Sequence, residues 1–303
     1  MRLDAHAHTT FSKPVSDRYV RWSLKESYSS PQDVYRRAKA NEMDLVAVTD
    51  HDTIDGALEI AHHDDVIIGC EVTAFFADEG FPVHLGVLDI TEDQHREIQR
   101  LRHNVRELMP YLKYQGIFTT LNHVASSVTG PITANHILSL MPWMDGIETL
   151  NGALLPSQNR TATALAEAYG KSRVGGSDSH TLSRIGRTYL EAEATDRASF
   201  MDAVRNGKAR VGGDHCSCFT LWSDIVRISA CFFRDGITRF LRDPSDTRNQ
   251  KLALMVLPGI PLMALALVGA PVYLMMEERF NHSLLFDLVA KQRSSAFELA
   301  GNQ

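Results

Sequence analysis

The chain has 303 residues and a formal net charge of −6, from 31 basic and 37 acidic side chains. That balance leaves no broad basic face for duplex nucleic acid, although a local cationic patch would suffice for a nucleotide or a short single strand. The four cysteines, Cys70, Cys216, Cys218 and Cys231, lack the CxxC pairs of zinc ribbons and read as reduced thiols of a cytosolic protein, with Cys216-x-Cys218 a weak metal or redox hint.

Residues 3–9 read Leu-Asp-Ala-His-Ala-His-Thr. Side chains alternate along a strand, so His6 and His8 would point to one side and grip one ion, with Asp4 placed to orient a ring. Cleaving a signal peptide would remove this motif, so none is expected. Ser30-Pro31 reads as the N-cap and first residue of a helix reaching about Met43. Five apolar runs then end on polar residues. Leu45–Thr49 leads into Asp50-His51-Asp52, Val66–Gly69 into Cys70-Glu71, and Phe81–Val83 into His84. Ile117–Leu121 leads into Asn122-His123, and Val174–Ser177 into Asp178-Ser179-His180. Short apolar runs bounded by glycine and polar residues predict buried strands. Between them, a charged periodic stretch from Thr91 to Gln115 and another from Pro156 to Tyr169 predict helices. This alternation predicts an α/β fold with a largely parallel sheet or barrel, and such barrels gather ligands and catalytic groups at the C-terminal ends of the strands.

His6, His8, His51, Glu71, His84, His123, Asp178 and His180 should therefore converge on one mouth. His84 alone reads equally as an ordinary inward-facing strand residue, whereas Asp178 and His180 in their turn read as ligands. Imidazoles and carboxylates in this mixture suit divalent zinc, iron or manganese, and six His, one Glu and one Asp at strand ends predict a multinuclear metal centre. The other seven histidines (His62, His63, His95, His103, His136, His215 and His282) have no such position. Asp50 and Asp52 read as supporting or loop-capping groups, and Glu148 as structural. The chain has no GxxxxGK[ST] and no GxGxxG phosphate loop.

The segments Asp4-x-His6-x-His8-Thr9-Thr10-x-Ser12, Thr49-Asp50-His51-Asp52-Thr53, Gly69-x-Glu71, Asn122-His123 and Gly176-Ser177-Asp178-Ser179-His180 resemble, in this order over residues 1–215, the motifs of the polymerase and histidinol phosphatase (PHP) metal-dependent phosphoesterases. The resemblance implies a distorted (β/α)7 barrel with two or three divalent ions (Mn, Zn or Fe) at its mouth. It implies a first ion held by His6, His8, Glu71 and Asp178, a second sharing Glu71 and taking His84 and His123, and a third with His51 and His180. One residue departs from the pattern. After Phe11-Ser12 the family usually supplies an acidic or imidazole ligand, and this chain has Lys13, so the third site is weakened or recruits Asp17 or Asp50. Lys13 either points to solvent or holds a substrate phosphate as a point charge. Arg184 and Arg187 are the other candidate substrate-binding cations, although Arg187 equally suits a pair with Glu191 or Glu193.

Composition changes after about residue 215 and divides the chain into a phosphoesterase domain (1–215) and a helical tail (216–303). Residues 252–276 are free of charge over 25 positions, enough to span a bilayer as a helix that Pro258, Pro261 and Pro271 would kink. Arg227, Arg234, Arg239, Arg242, Arg248 and Lys251 precede it and would place the catalytic domain in the cytoplasm, at the inner membrane. Residues 219–242 read as an amphipathic helix on the membrane surface. The alternative is that both segments are buried helices of a dimerisation or capping subdomain, compatible with a homo-oligomer.

The expected reaction is hydrolysis of a phosphate ester by metal-activated water, a phosphomonoesterase acting on a small metabolite or nucleotide. His180, His51 and Asp178 are the catalytic candidates, with either histidine able to protonate the leaving oxygen. The alternatives are an exonuclease-like phosphodiesterase on nucleotides or short oligonucleotides, and a non-catalytic metal-stabilised scaffold at the membrane. The intact ligand set speaks against the scaffold.

Overall fold

The computed structural model describes residues 1–13, 25–256 and 259–301, without the side chains of 255–268 and 292–301. Strand β1 (Arg2–Asp4) is followed by α1 (Pro31–Ala40), which begins as its sequence dictates, with the Ser30 hydroxyl accepting from the Asp33 amide and proline in the first turn. β2 (Leu45–Val48), α2 (Asp55–Ile60) and the hairpin of β3 (Val66–Phe76) and β4 (Phe81–Leu88) come next. The stretch expected as one helix over 91–115 is two, α3 (Glu92–Leu101) and α4 (Val105–Tyr114). Asn104 breaks it by leaving helical geometry and capping the second piece through the Arg106 amide. The order then runs β5 (Phe118–Leu121), α5 (Ala134–Leu140), β6 (Gly146–Asn151), α6 (Pro156–Ala168), β7 (Ser172–Gly176), β8 (Thr188–Glu191), α7 (Arg197–Arg205) and β9 (Arg210–Gly213). Three helices follow: α8 (Cys218–Arg242), α9 (Thr247–Val256) and α10 (Gly259–Gly301).

Among the described residues nine strands form one sheet in the order β7-β6-β5-β4-β3-β2-β1-β8-β9. The runs β1-β2-β3 and β5-β6-β7 are parallel. Pairings β3-β4, β4-β5, β1-β8 and β8-β9 are antiparallel, which corrects the expectation of a largely parallel sheet. The reason is local. Only residues 77–80 separate β3 from β4, too few for a crossover, and Gly80 at φ 64° turns the chain straight back. The sheet curls until its first and seventh strands meet beyond their ends: Ala7 bridges Ser179 in parallel, and the Asp178 amide donates to the His6 carbonyl at 2.8 Å. Gly176 permits this closure, because a β-carbon there would collide with His6. The result is a mixed, nearly closed α/β barrel.

Leu3, Leu45, Ile67, Phe118 and Leu190, from five strands, share one buried cluster with Phe200 of α7 that fills the base of the barrel. A larger cluster lies between the sheet and α3–α6, and Leu284 and Leu288 of α10 are buried in it. α10 is fixed there by a buried carboxylate. Glu277 accepts from Ser126 Oγ at 3.0 Å, from the Ser127 amide at 3.1 Å and hydroxyl, and from Gln158 Nε2 at 2.8 Å. The candidate span 252–276 falls partly outside the described residues, and its two ends belong to separate helices, α9 and α10. Among the described residues no helix is long and apolar enough to cross a membrane.

Candidate metal centre

β1 stops at Asp4, so His6 and His8 lie beyond the strand rather than within it. The buried Asp4 carboxylate is the cause. It accepts from the amides of His6 (3.3 Å), Ser177 (2.8 Å) and Gly186 (2.8 Å), fastening the start of the ligand loop to the turn after β7. Burial pushes its pKa up to about 6 against those hydrogen bonds. Each ring is then aimed by the nitrogen it does not present to the centre. His6 Nδ1 donates to Glu148 Oε1 at 2.7 Å, and Glu148 Oε2 accepts from the His123 amide at 2.8 Å, so Glu148 is a positioning residue. His8 Nδ1 lies 3.2 Å from Ser12 Oγ, which also accepts from the His51 amide at 3.0 Å. Asp178 and His123 sit at φ 49° and 28°, a region that side-chain-bearing residues rarely enter, at the points where their strands end.

Glu71 on β3 stands at the centre and faces ligands with both oxygens. Its Oε2 is 3.0 Å from His6 Nε2 and 3.4 Å from His8 Nε2, and Asp178 Oδ1 lies 3.6 and 3.3 Å from the same nitrogens. Its Oε1 is 3.0 Å from His123 Nε2 and 3.3 Å from His84 Nδ1, and accepts from Asn122 Nδ2 at 3.0 Å. Gly86, paired with Glu71 across β4, leaves room for Asn122 to reach this oxygen and for the Thr120 hydroxyl to hold Asn122 Oδ1 at 2.8 Å; any β-carbon there would strike both. The first and second ligand groups expected from the sequence are thus brought together, His84 included.

The third group is also assembled, with a member the sequence reading missed. Glu26 Oε1 lies 3.3 Å from His51 Nε2 and 3.9 Å from His180 Nε2, and its other oxygen accepts from Ser12 Oγ at 3.1 Å. Glu26 therefore supplies the carboxylate that Lys13 lacks. Asp17 lies outside the described residues. Asp50 is not a ligand; it accepts from the Thr9 amide and hydroxyl at 2.5 and 2.6 Å. Asp52 pairs with Arg102 at 3.1 Å and takes the Thr73 amide at 2.9 Å, the loop-capping role expected of it. Lys13 does not reach the cluster, since its ammonium donates to the Asp52 carbonyl at 2.9 Å. Arg184 is buried and engaged with Asp224 Oδ2 at 3.2 Å and with the Gly152 carbonyl. Arg187 faces Asp214 at 3.9 Å rather than Glu191 or Glu193, because Glu191 is taken by Arg2.

The donor set fits divalent cations. His8, His51 and His180, then His6, His8 and Glu71, then His51, Glu71 and His84 each bring ligating atoms within 4.8 Å of one another. Burial and the cationic neighbours His180, His51 and His6 hold His8 down at about 3, so its lone pair is free for a ligand. Burial also opposes charge on Glu71 and Asp178, yet the surrounding imidazoles hold both carboxyls well below the usual range. His51 moves the other way, up to about 9, because Glu71 and Glu26 outweigh its burial. Buried carboxylates and imidazole lone pairs converging at 3.0–3.6 Å are what a multivalent ion satisfies and a proton serves poorly.

Fold and ligand set together define a PHP-type barrel, and comparison with known proteins agrees. Residues 156–209, which include the Asp178-Ser179-His180 turn, match the PHP-associated family model. A two-domain protein of Bacteroides vulgatus that contains a predicted PHP-like metal-dependent phosphoesterase shares the fold, with a TM-score of 0.53 and 19% identity over 70% of this chain and 64% of that one. PsfC of Pseudomonas syringae also has a TM-score of 0.53, at 17% identity over 76% of this chain and 97% of its own. In sequence, 77 residues are 30% identical to an uncharacterized protein of Methanocaldococcus jannaschii, 24% of this chain and 44% of that one. The chain thus spans less than two thirds of the archaeal relative and of the Bacteroides protein. Its fold is that of a PHP-like barrel.

Proposed function

We propose that the chain is a metal-dependent hydrolase of phosphoric ester bonds and, within that class, a phosphomonoesterase acting on a small metabolite or nucleotide. The observation that carries this reading is Glu71, one buried carboxylate whose two oxygens face two separate groups of ligands. Divalent ions bound there would acidify water and neutralise phosphate oxygens in an in-line displacement. The protein's own groups hold and aim. Glu148, Asn122 and Ser12 fix His6, Glu71 and His8, and Glu26 completes the third group beside His51 and His180. His180, with a quarter of its side chain exposed where every other ligand histidine is nearly buried, stands on the open side of the cluster and, where ions fill the first two groups only, is assigned to protonate the leaving oxygen. Arg184 is engaged with Asp224, Lys13 is held away from the cluster by the Asp52 carbonyl and Arg187 faces Asp214, so neutralising the phosphate falls to the ions rather than to these three cations.

The test is turnover of p-nitrophenyl phosphate by the full chain, stripped of metal and reloaded with Mn²⁺, beside Asp178→Ala. Metal-dependent phosphate release that is lost in the variant supports the assignment. Faster cleavage of bis(p-nitrophenyl) phosphate would move it to a diesterase, and no turnover of either with ions bound would leave the scaffold reading.

For location, peripheral contact with the inner face of an anionic membrane is favoured over a spanning segment. Phe219 and Leu241 of α8 are 72% and 73% exposed, and Leu241 is next to Arg242. Salt-sensitive sedimentation with phosphatidylserine vesicles supports that reading; chain left in the supernatant at low salt rejects it.

A further inference from the structure

The apolar face of α8 is not wholly turned to solvent. Leu221, Ile225 and Ile228 follow one another along one side of the helix and form one wall of a cavity of about 170 Å³. The opposite wall is the ligand turn itself, Asp178 to Thr181, so this hollow opens directly on the metal centre. It is smaller than the ~300–1,000 Å³ of a drug-sized site and suits a fragment of a substrate rather than a whole cofactor. The polar side chain that α8 contributes to the lining, Asp224, is engaged by Arg184, and Leu221, Ile225 and Ile228 offer no hydrogen-bonding group. The polar groups around the rim are already matched to one another. Ser179 Oγ donates to the Thr181 carbonyl at 2.5 Å, the Thr181 and Ser183 hydroxyls are bonded at 2.7 Å, and the Arg184 guanidinium is spent on Asp224 and Gly152.

We propose that α8 builds the leaving-group pocket of this centre, selecting monoesters of a compact, uncharged, apolar alcohol over those of polyols and sugars; this rests on the phosphomonoesterase reading. With phosphate at the ions, the ester oxygen faces His180 and the carbon skeleton lies against Leu221, Ile225 and Ile228. A hydroxyl-rich leaving group placed there gives up its water against Leu221, Ile225 and Ile228, which offer no partner, a mismatch that apolar pockets punish by about 10- to 100-fold. An anionic one also meets the carboxylates of Asp178 and Asp224. In this reading part of the tail is a wall of the site, and PHP-like barrels without such a helix would lack the preference.

The experiment compares 3-methylbutyl phosphate with glycerol 3-phosphate, two primary alkyl esters, as substrates of the Mn²⁺-loaded full chain. Calorimetry with their non-hydrolysable phosphonate counterparts, 4-methylpentylphosphonate and 3,4-dihydroxybutylphosphonate, measures binding without turnover. A preference of about 10-fold or more for the apolar member in both kcat/KM and affinity is expected, collapsing toward 1 in Ile225→Asn and shrinking in Leu221→Ala. The alanine variant keeps helix propensity and guards against misfolding. Equal affinity for the two phosphonates, or an unchanged ratio in both variants, overturns the pocket. Preferential phosphonate binding without hydrolysis of either ester would uphold the pocket and overturn the hydrolytic reading instead.

Discussion

At its base the barrel is filled by Leu3, Leu45, Ile67, Phe118 and Leu190 beneath Phe200, all buried apolar side chains. Higher in the same barrel, the mouth holds imidazoles and carboxylates whose ligating atoms approach to 3.0–3.6 Å, with Asp178 and His123 in backbone conformations they would not choose alone. The two ends divide the work. Apolar burial at the base supplies stability, and that surplus lets the mouth keep desolvated charge and strained turns, which oppose folding until cations arrive.

Substitutions can break this division at either end. The largest effect on turnover is expected of Glu71→Ala, which removes the ligand common to two groups. Hydrolysis should fall to the solution rate and elemental analysis should show fewer ions per chain. The metal-free protein at pH 8 should melt within a few degrees of the parent, because the imidazoles left behind can shed their protons. The converse is Phe200→Ala, expected to cost about 3–5 kcal/mol in denaturant unfolding while the folded fraction binds its full complement of ions. Loss of ions from the folded fraction would show that base and mouth are not separable. Glu277→Ala sharpens the comparison at the tail. Leaving Ser126, Ser127 and Gln158 without their acceptor should cost about 1–3 kcal/mol, with early proteolytic cleavage in α10 as the readout. Asn104→Ala, distant from both ends, should cost about 1 kcal/mol through the lost cap and change neither ions nor rate.

What could be read from the sequence was what is local. The His6-x-His8 pair, the Asp178-Ser179-His180 turn and the polar residues ending each apolar run announce themselves within a few positions, and they define most of the centre. Glu26 gives no such signal. It lies between β1 and α1, well beyond the position where the family supplies its ligand, and only the fold returns it to Ser12 and His51. The β3-β4 reversal turns on the short gap of residues 77–80 around Gly80, and the sequence reading, which expects a largely parallel sheet, misses it, because apolar runs carry no record of strand direction. In α8 the period of the apolar face was legible and its occupant was not. Spacing says that a helix has a hydrophobic side; whether lipid, a second chain or the protein's own active-site turn covers it is decided by tertiary structure. Glu277 is the sharpest case, a charge that reads as the end of an apolar segment and in the fold is buried against three barrel side chains.

The seam at which the barrel closes has a consequence for the order of assembly. His6 and Ser177, joined by a hydrogen bond across that seam, are 171 residues apart in the chain. An ion gripping His6, His8 and Asp178 would act as a clip on a loop of that length, whose closure entropy must be met before any ligand bond can form. A nascent chain that has not yet completed β7 owns His6 and His8 but not the site. On this geometry a cation would be captured late, by a barrel already shut, and the N-terminal histidine pair would then report that the strand some 170 residues downstream has arrived.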